Sequence, residues 1–150
     1  MSELDELYQE VILDHNRNPR NFGRLEDAQE SEGFNPLCGD RISVFVKVEE
    51  NRVVDVRFEG RGCAISQASA SVMTTMTKGK TVEEVQKLFN LFQQVVTDSE
   101  GGEEAMEEIG ELAALAGVRE FPTRVKCATL AWHTLGSILE GQAGTAVSTE

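Results

Sequence analysis

The chain has 150 residues and a formal net charge of −12, with 40% hydrophobic and 27% charged residues. That balance fits a soluble globular protein of one domain, residues 1–150, and argues against nucleic acid as the main partner, because phosphate binding needs a basic footprint. No apolar run approaches a membrane span, and the acidic start Met1-Ser2-Glu3-Leu4-Asp5 lacks the order of a signal peptide, so a cytoplasmic protein without a membrane partner is expected.

Leu4, Leu7, Tyr8, Val11 and Ile12 recur at helical spacing and predict an amphipathic helix from Leu4 to His15. Ser2 reads as its N-cap with Asp5 three residues on, and the segment around Pro19 ends it. The polar loop with Gly23 and Gly33 that follows carries only a weak strand signal. Ile42 to Val48 alternates, with Ile42, Val44, Val46 and Val48 on one face. Val53 to Phe58 is a second strand with Val54, Val56 and Phe58 on one face, and Glu49-Glu50-Asn51-Arg52 turns the pair into an antiparallel hairpin. Ala64 to Thr77 is rich in small residues and predicts a tightly packed helix.

Thr81 and Glu84 form a capping-box pattern that opens a further helix, with Val82, Val85, Leu88, Phe89, Phe92 and Val95 or Val96 inward. Glu103 to Ala116 is expected to be helical, with Met106, Ile109, Leu112, Ala113 and Ala116 inward. From Asp98 to Glu111 there are seven acidic residues and no basic one, which reads as a solvated face or a docking patch. Phe121-Pro122-Thr123 reads as a linker. Cys127 then opens a last helix through Leu130, Ala131, Trp132, Leu135, Ile138 and Leu139, and residues from about 141 to 150 read as a frayed tail. The fold class is α+β: a small antiparallel sheet of about three strands packed against about five helices.

Cysteine is scarce, with only three in the chain. In a reducing compartment an odd set of three points to metal binding or catalysis rather than disulfides. Cys38 and Asp40 share the turn Asn35-Pro36-Leu37-Cys38-Gly39-Asp40, Cys63 follows Gly60-Arg61-Gly62, and Cys127 follows Arg124-Val125-Lys126. Zinc favours four tetrahedral ligands and binds thiolate strongly, so Cys38, Asp40, Cys63 and Cys127 are expected to meet around one ion. Four protein ligands leave no open position for water, which argues against a metal hydrolase. Arg61, Arg124 and Lys126, with helix N-termini after Cys63 and Cys127, are expected to lower the thiol pKa values. Any one cysteine alone is equally a small buried hydrophobe. His15 reads as a surface or cap residue and His133 as a packing or exposed one.

Those three cysteine segments, with Gly60 to Ser71 and Arg124 to Trp132 read in full, resemble the motifs of the U-type iron–sulfur assembly family (IscU, SufU and the NifU N-terminal domain). Leu7 to His15 and Asn18 to Gly23 resemble it as well, so the likeness covers residues from about 4 to 140. Within the family the chain looks like the SufU branch. Lys126 stands where the IscU branch has a histidine, Phe121-Pro122-Thr123-Arg124-Val125-Lys126 departs from the segment that a chaperone reads there, and the acidic insert is longer.

The resemblance implies a SufU/IscU-like fold and a Zn2+ site of Cys38, Asp40, Cys63 and Cys127. It implies a sulfurtransferase of iron–sulfur cluster biogenesis that accepts persulfide sulfur from a SufS-type cysteine desulfurase. The position matching the acceptor is Cys38, freed when a partner histidine takes its place; Cys127 is the alternative acceptor. Arg124 would stabilise the freed thiolate or orient Asp40. A SufBCD-type scaffold is the implied downstream partner. The alternative function is a scaffold that assembles and transfers a transient [2Fe–2S] cluster on the same ligands.

Overall fold

The structure, a computed structural model, describes residues 3–97, 107–141, 144 and 146–148. The elements run α1 (Glu3–Arg17), β1 (Gln29–Asn35), β2 (Asp40–Glu49), β3 (Arg52–Arg61), α2 (Ala64–Thr77), α3 (Val82–Thr97), a 3-10 segment (Gly110–Glu120), α4 (Pro122–Leu139) and β4 (Val147–Ser148). The sheet order is β3-β2-β1-β4. Its first three strands are antiparallel, and β4 runs parallel to β1. The result is the expected α+β class with one strand more than expected.

The hairpin forms where expected because Glu50 and Asn51 both adopt positive φ (51° and 64°), the geometry of a tight two-residue turn whose twist matches the strands. Its register slips at Lys47/Val48, so Val48 faces Val53 and Lys47 faces Asp55. The extra residue is Val54. The bulge turns Val53 into the core and leaves Val54 exposed, which corrects the expected facing of Val54. Ile42, Val44, Val46, Val53, Val56 and Phe58 then present one apolar face to α2 and α4. Small residues let these helices lie close: a Cβ on Gly33 of β1 would run into Thr134 and Leu130 of α4.

The capping box forms as read. Thr81 N–H donates to Glu84 Oε1 (3.0 Å) and Glu84 N–H to Thr81 Oγ1 (3.2 Å). On α3, Val85, Leu88, Phe92, Val95 and Val96 are all buried. Ser2, Met106 and the first nine residues of the acidic run (98–106) lie outside the described residues, as do the side chains of Leu4 and Leu7.

Four expectations are corrected. The weak strand signal between Gly23 and Gly33 belongs to a full seven-residue strand, β1. Of the expected helix from Glu103 to Ala116, Glu107 and Glu108 are α-helical, but from Gly110 the chain is a 3-10 segment, with Ile109, Leu112, Ala113 and Ala116 buried as expected. Gly110 has φ +56°, which interrupts an α-helix at that point. The last helix starts at Pro122 rather than Cys127. Proline suits a first helical position because its missing N–H would have no partner there anyway. Finally, Val147 and Ser148, expected in a frayed tail, pair with Gly33 and Phe34 and satisfy the open edge of β1.

Candidate metal centre

The β1–β2 hairpin ends on the pair Asn35 and Asp40. Between them Cys38 N–H donates to the Asn35 carbonyl (3.2 Å), and Gly39 takes φ +71°, so the loop turns tightly enough to bring Cys38 over Asp40. Asp40 is buried. Its carboxylate is seated against the far end of β3, where a Cβ on Gly62 would run into Asp40 Oδ1. That close approach explains the glycine that ends Gly60-Arg61-Gly62.

Cys63 is the N-cap of α2. Its sulfur accepts from Ser66 N–H (3.4 Å), and its own N–H donates to Asp40 Oδ1 (2.8 Å). Cys127 comes from the second turn of α4 and is fully buried. One donor atom each from Cys38, Asp40 and Cys127 lies within 4.8 Å of the others. Cys63 Sγ is 3.9 Å from Asp40 Oδ2. The four residues named from the sequence therefore converge on one end of the sheet.

This donor set fits a tetrahedral thiophilic cation. Bonds of about 2.3 Å place the ligand atoms of a tetrahedron roughly 3.8 Å apart; Cys63 Sγ stands 3.9 Å from Asp40 Oδ2, although Cys63 lies outside the 4.8 Å group of Cys38, Asp40 and Cys127. Three sulfurs and one carboxylate oxygen suit zinc, and neither histidine is near.

The charged surroundings differ from expectation in two ways. Cys127 sits too far into α4 to feel its N-terminus, since that field decays within the first turn. Burial foremost, then hydrogen bonds with Cys38, Asp40 and Cys63, push its thiol above the ordinary range, which reverses the expected lowering. Of the expected arginines, Arg124 reaches the thiols. The charge of Cys63, followed by a hydrogen bond to it and the charges of Cys127 and Cys38, raises its guanidinium pKa. Elsewhere Arg41 pairs with Glu32 (3.4 Å) and lies over the Phe34 ring, while Arg20 pairs with Asp14 and Arg24 with Glu59 and Glu30.

Asn35 escaped the sequence reading as a site residue. It is 0% exposed, and its Nδ2 donates to Asp40 Oδ2 (3.4 Å) and Cys127 Sγ (3.3 Å). The signal was present in the turn motif, but the register that aims the side chain was not. His15 is also corrected. It is buried, with Nδ1 2.7 Å from Ser71 Oγ and Nε2 2.9 Å from Glu111 Oε2, so it ties α1 to α2 and to the 3-10 segment. His133 packs edge-on against Phe89 as expected.

Beside the cysteines an apolar cavity of about 540 Å³ is lined by Ile12, Ile65, Leu115, Val118, Phe121 and Arg124. Phe121 (59% exposed) and Leu37 (62%), next to Cys38, add apolar surface near the same end of the molecule.

Residues 7–128 match the family of NifU-like N-terminal domains, and the chain belongs to that family. It is 44% identical over 134 residues to the zinc-dependent sulfurtransferase SufU of Bacillus subtilis, covering 89% of this chain and 90% of that protein. It is 41% identical over 143 residues to the iron–sulfur cluster assembly scaffold protein IscU of Streptococcus pyogenes, covering 95% and 89%. The crystal structure of a SUF-system iron–sulfur cluster assembly scaffold protein (FiSufU) from Fervidobacterium islandicum superposes with a TM-score of 0.78 at 35% identity, over 87% of this chain and 94% of that one. No described helix is long and apolar enough to cross a membrane.

Proposed function

We propose that this protein is a zinc-dependent sulfurtransferase of iron–sulfur cluster biogenesis that takes persulfide sulfur from a SufS-type cysteine desulfurase. Cys38, Asp40, Cys63 and Cys127 are the proposed metal ligands, and Cys38 the acceptor. The observation that carries the reading is the convergence of three thiols and one buried carboxylate beside the Arg124 guanidinium, with no histidine among them. The likeness to a relative named a zinc-dependent sulfurtransferase supports it.

A bound zinc ion would keep the thiols deprotonated at neutral pH. Cys38 lies on the turn between exposed Leu37 and Gly39 and is half-buried, as is Cys63, whereas Cys127 is buried. The Cys38 thiolate attacks the outer sulfur of the donor persulfide. The donor S–S bond breaks, its electron pair returns to the desulfurase thiolate, and the persulfide is now on Cys38; no net oxidation occurs. Arg124 offsets the negative charge gathered at that moment. The apolar surface of Leu37 and Phe121 suits the docking of the desulfurase.

In a mixture with a SufS-type desulfurase, cysteine and a thiol reductant, sulfide release is expected to rise at least tenfold over the desulfurase alone. Cys38→Ala is expected to abolish the rise. An unchanged rate with the wild-type chain, or full stimulation by Cys38→Ala, refutes the reading.

The relative named as an IscU scaffold supports a second reading, assembly of a [2Fe–2S] cluster as cargo on the same residues. Anaerobic reconstitution followed by transfer to an apo-protein separates the two. A stable, transferable cluster favours the scaffold, and tightly held zinc without one favours the sulfurtransferase.

A further inference from the structure

We infer that Asn35 is a positioning residue that decides which thiol can leave the metal. The inference rests on the proposed zinc site. Asn35 is the last residue of β1 and stands opposite Asp40, so strand register alone delivers its side chain into the site. Its two described partners, the Asp40 carboxylate and the Cys127 sulfur, are both acceptors in the metal-bound state. The NH2 end of the amide must therefore face them, which leaves the buried Oδ1 without a partner among the described residues. A buried carbonyl oxygen without a partner costs stability, and an apolar residue filling the same space would avoid that cost. A residue that served packing alone would have no reason to bear it.

The four ligands differ in what supports them. Asn35 supports Asp40 and Cys127. Ser66 N–H and the Arg124 guanidinium support Cys63. None of the described hydrogen bonds brings an N–H to Cys38 Sγ, and Cys38 sits on the turn rather than in the core. An N–H aimed at a coordinated sulfur draws off electron density, lowers its nucleophilicity and holds it in place. Cys127 is thereby kept as a permanent ligand. Cys38, alone among the three thiols in having no such donor among the described hydrogen bonds, is the one that departs and reacts.

The test compares zinc-loaded wild type with Asn35→Leu, which fills similar space without a donor, and Asn35→Ser, whose hydroxyl is too short to span both partners. Each is pulsed with iodoacetamide, and alkylation at each cysteine is measured by mass spectrometry of the peptides. In wild type Cys38 is expected to react at least tenfold faster than Cys127. In Asn35→Leu the Cys127 rate is expected to rise at least tenfold, with Cys38 changed less than twofold. The cobalt-loaded variant is expected to show its sulfur-to-metal absorption at longer wavelength, a signature that loosened packing alone would not produce. Unchanged Cys127 labelling and an unchanged cobalt spectrum overturn the inference while leaving the zinc reading intact. A wild-type chain that binds no zinc overturns both. If Asn35→Leu does not fold, Asn35→Ser carries the same two readouts. If neither variant holds metal while wild type does, Asn35 is needed to form the site rather than to choose the departing thiol, and the inference is overturned.

Discussion

Gly62 and Gly39 flank the same site but serve it through different physics. At Gly39 the requirement is conformational: φ is +71° and a Cβ would meet nothing within 4 Å. At Gly62 the requirement is space, because the Asp40 carboxylate occupies the volume a side chain would take. Gly39→Ala should therefore cost about 1–2 kcal/mol of backbone strain and keep its metal. Gly62→Ala should displace Asp40 and lower zinc stoichiometry well below that of wild type. Metal analysis and thermal unfolding of the two variants check the distinction, and equal zinc content in both would refute it. The three cysteines and Asp40 were legible because each sits in a short segment of turn formers and cations that reads locally. Asn35 and His15 were not. Their roles depend on what lies opposite them, Asp40 across a strand pair in one case and Ser71 and Glu111 from distant elements in the other.

At the scale of the element, the helix beginning at Thr81 was readable to the residue because a capping box is a local code. Its carboxyl has a consequence for acid stability. The Thr81 backbone N–H, then the Thr81 side chain, hold the Glu84 carboxyl below its ordinary range. A carboxyl whose folded pKa is depressed stabilises the fold above the unfolded value, and that contribution is lost as pH falls through the folded pKa. Glu84→Gln should lower the urea midpoint slightly near neutral pH, flatten its decline below about pH 4.5, and match wild type in acid. An acid limb as steep as that of wild type would count against the assignment. Strands were less readable. The inward positions of β1 are Ser31, Gly33 and Asn35, so the usual apolar alternation is missing even though the burial alternates. In β3 the bulge at Val54 breaks the period of two that sequence reading relies on.

At the scale of the whole molecule, the proposed ligands come from the β1–β2 turn, the β3–α2 junction and α4, so a cation held by all of them ties three parts of the chain together. Bound metal stabilises only the folded state. With free zinc at about a thousand times its dissociation constant, that amounts to about 4 kcal/mol. For a chain of this length, stripping the metal with a chelator should lower the melting temperature by about 10 °C. Differential scanning calorimetry before and after chelation checks this, and an unchanged transition would show that the ligands are organised by packing alone. The chain carries a net charge of −12, and Arg124 is a cation placed among the thiols.

By itself the sequence determined the class of the fold and most of the elements, and it named the four residues proposed as ligands. Those signals are local: hydrophobic period, turn chemistry, a capping box and scarce cysteines in marked settings. Tertiary structure alone decided that β1 is a full strand, that His15 is a buried tie, that Cys127 lies inside a helix rather than at its start, and that Asn35 touches Asp40 and Cys127. Each of these depends on contacts between residues far apart in the chain or on strand register, and neither is encoded in any single stretch. The turn Asn35-Pro36-Leu37-Cys38-Gly39-Asp40 named its own chemistry, but β2, β3, α2 and α4 had to be assembled around it before that chemistry had a geometry.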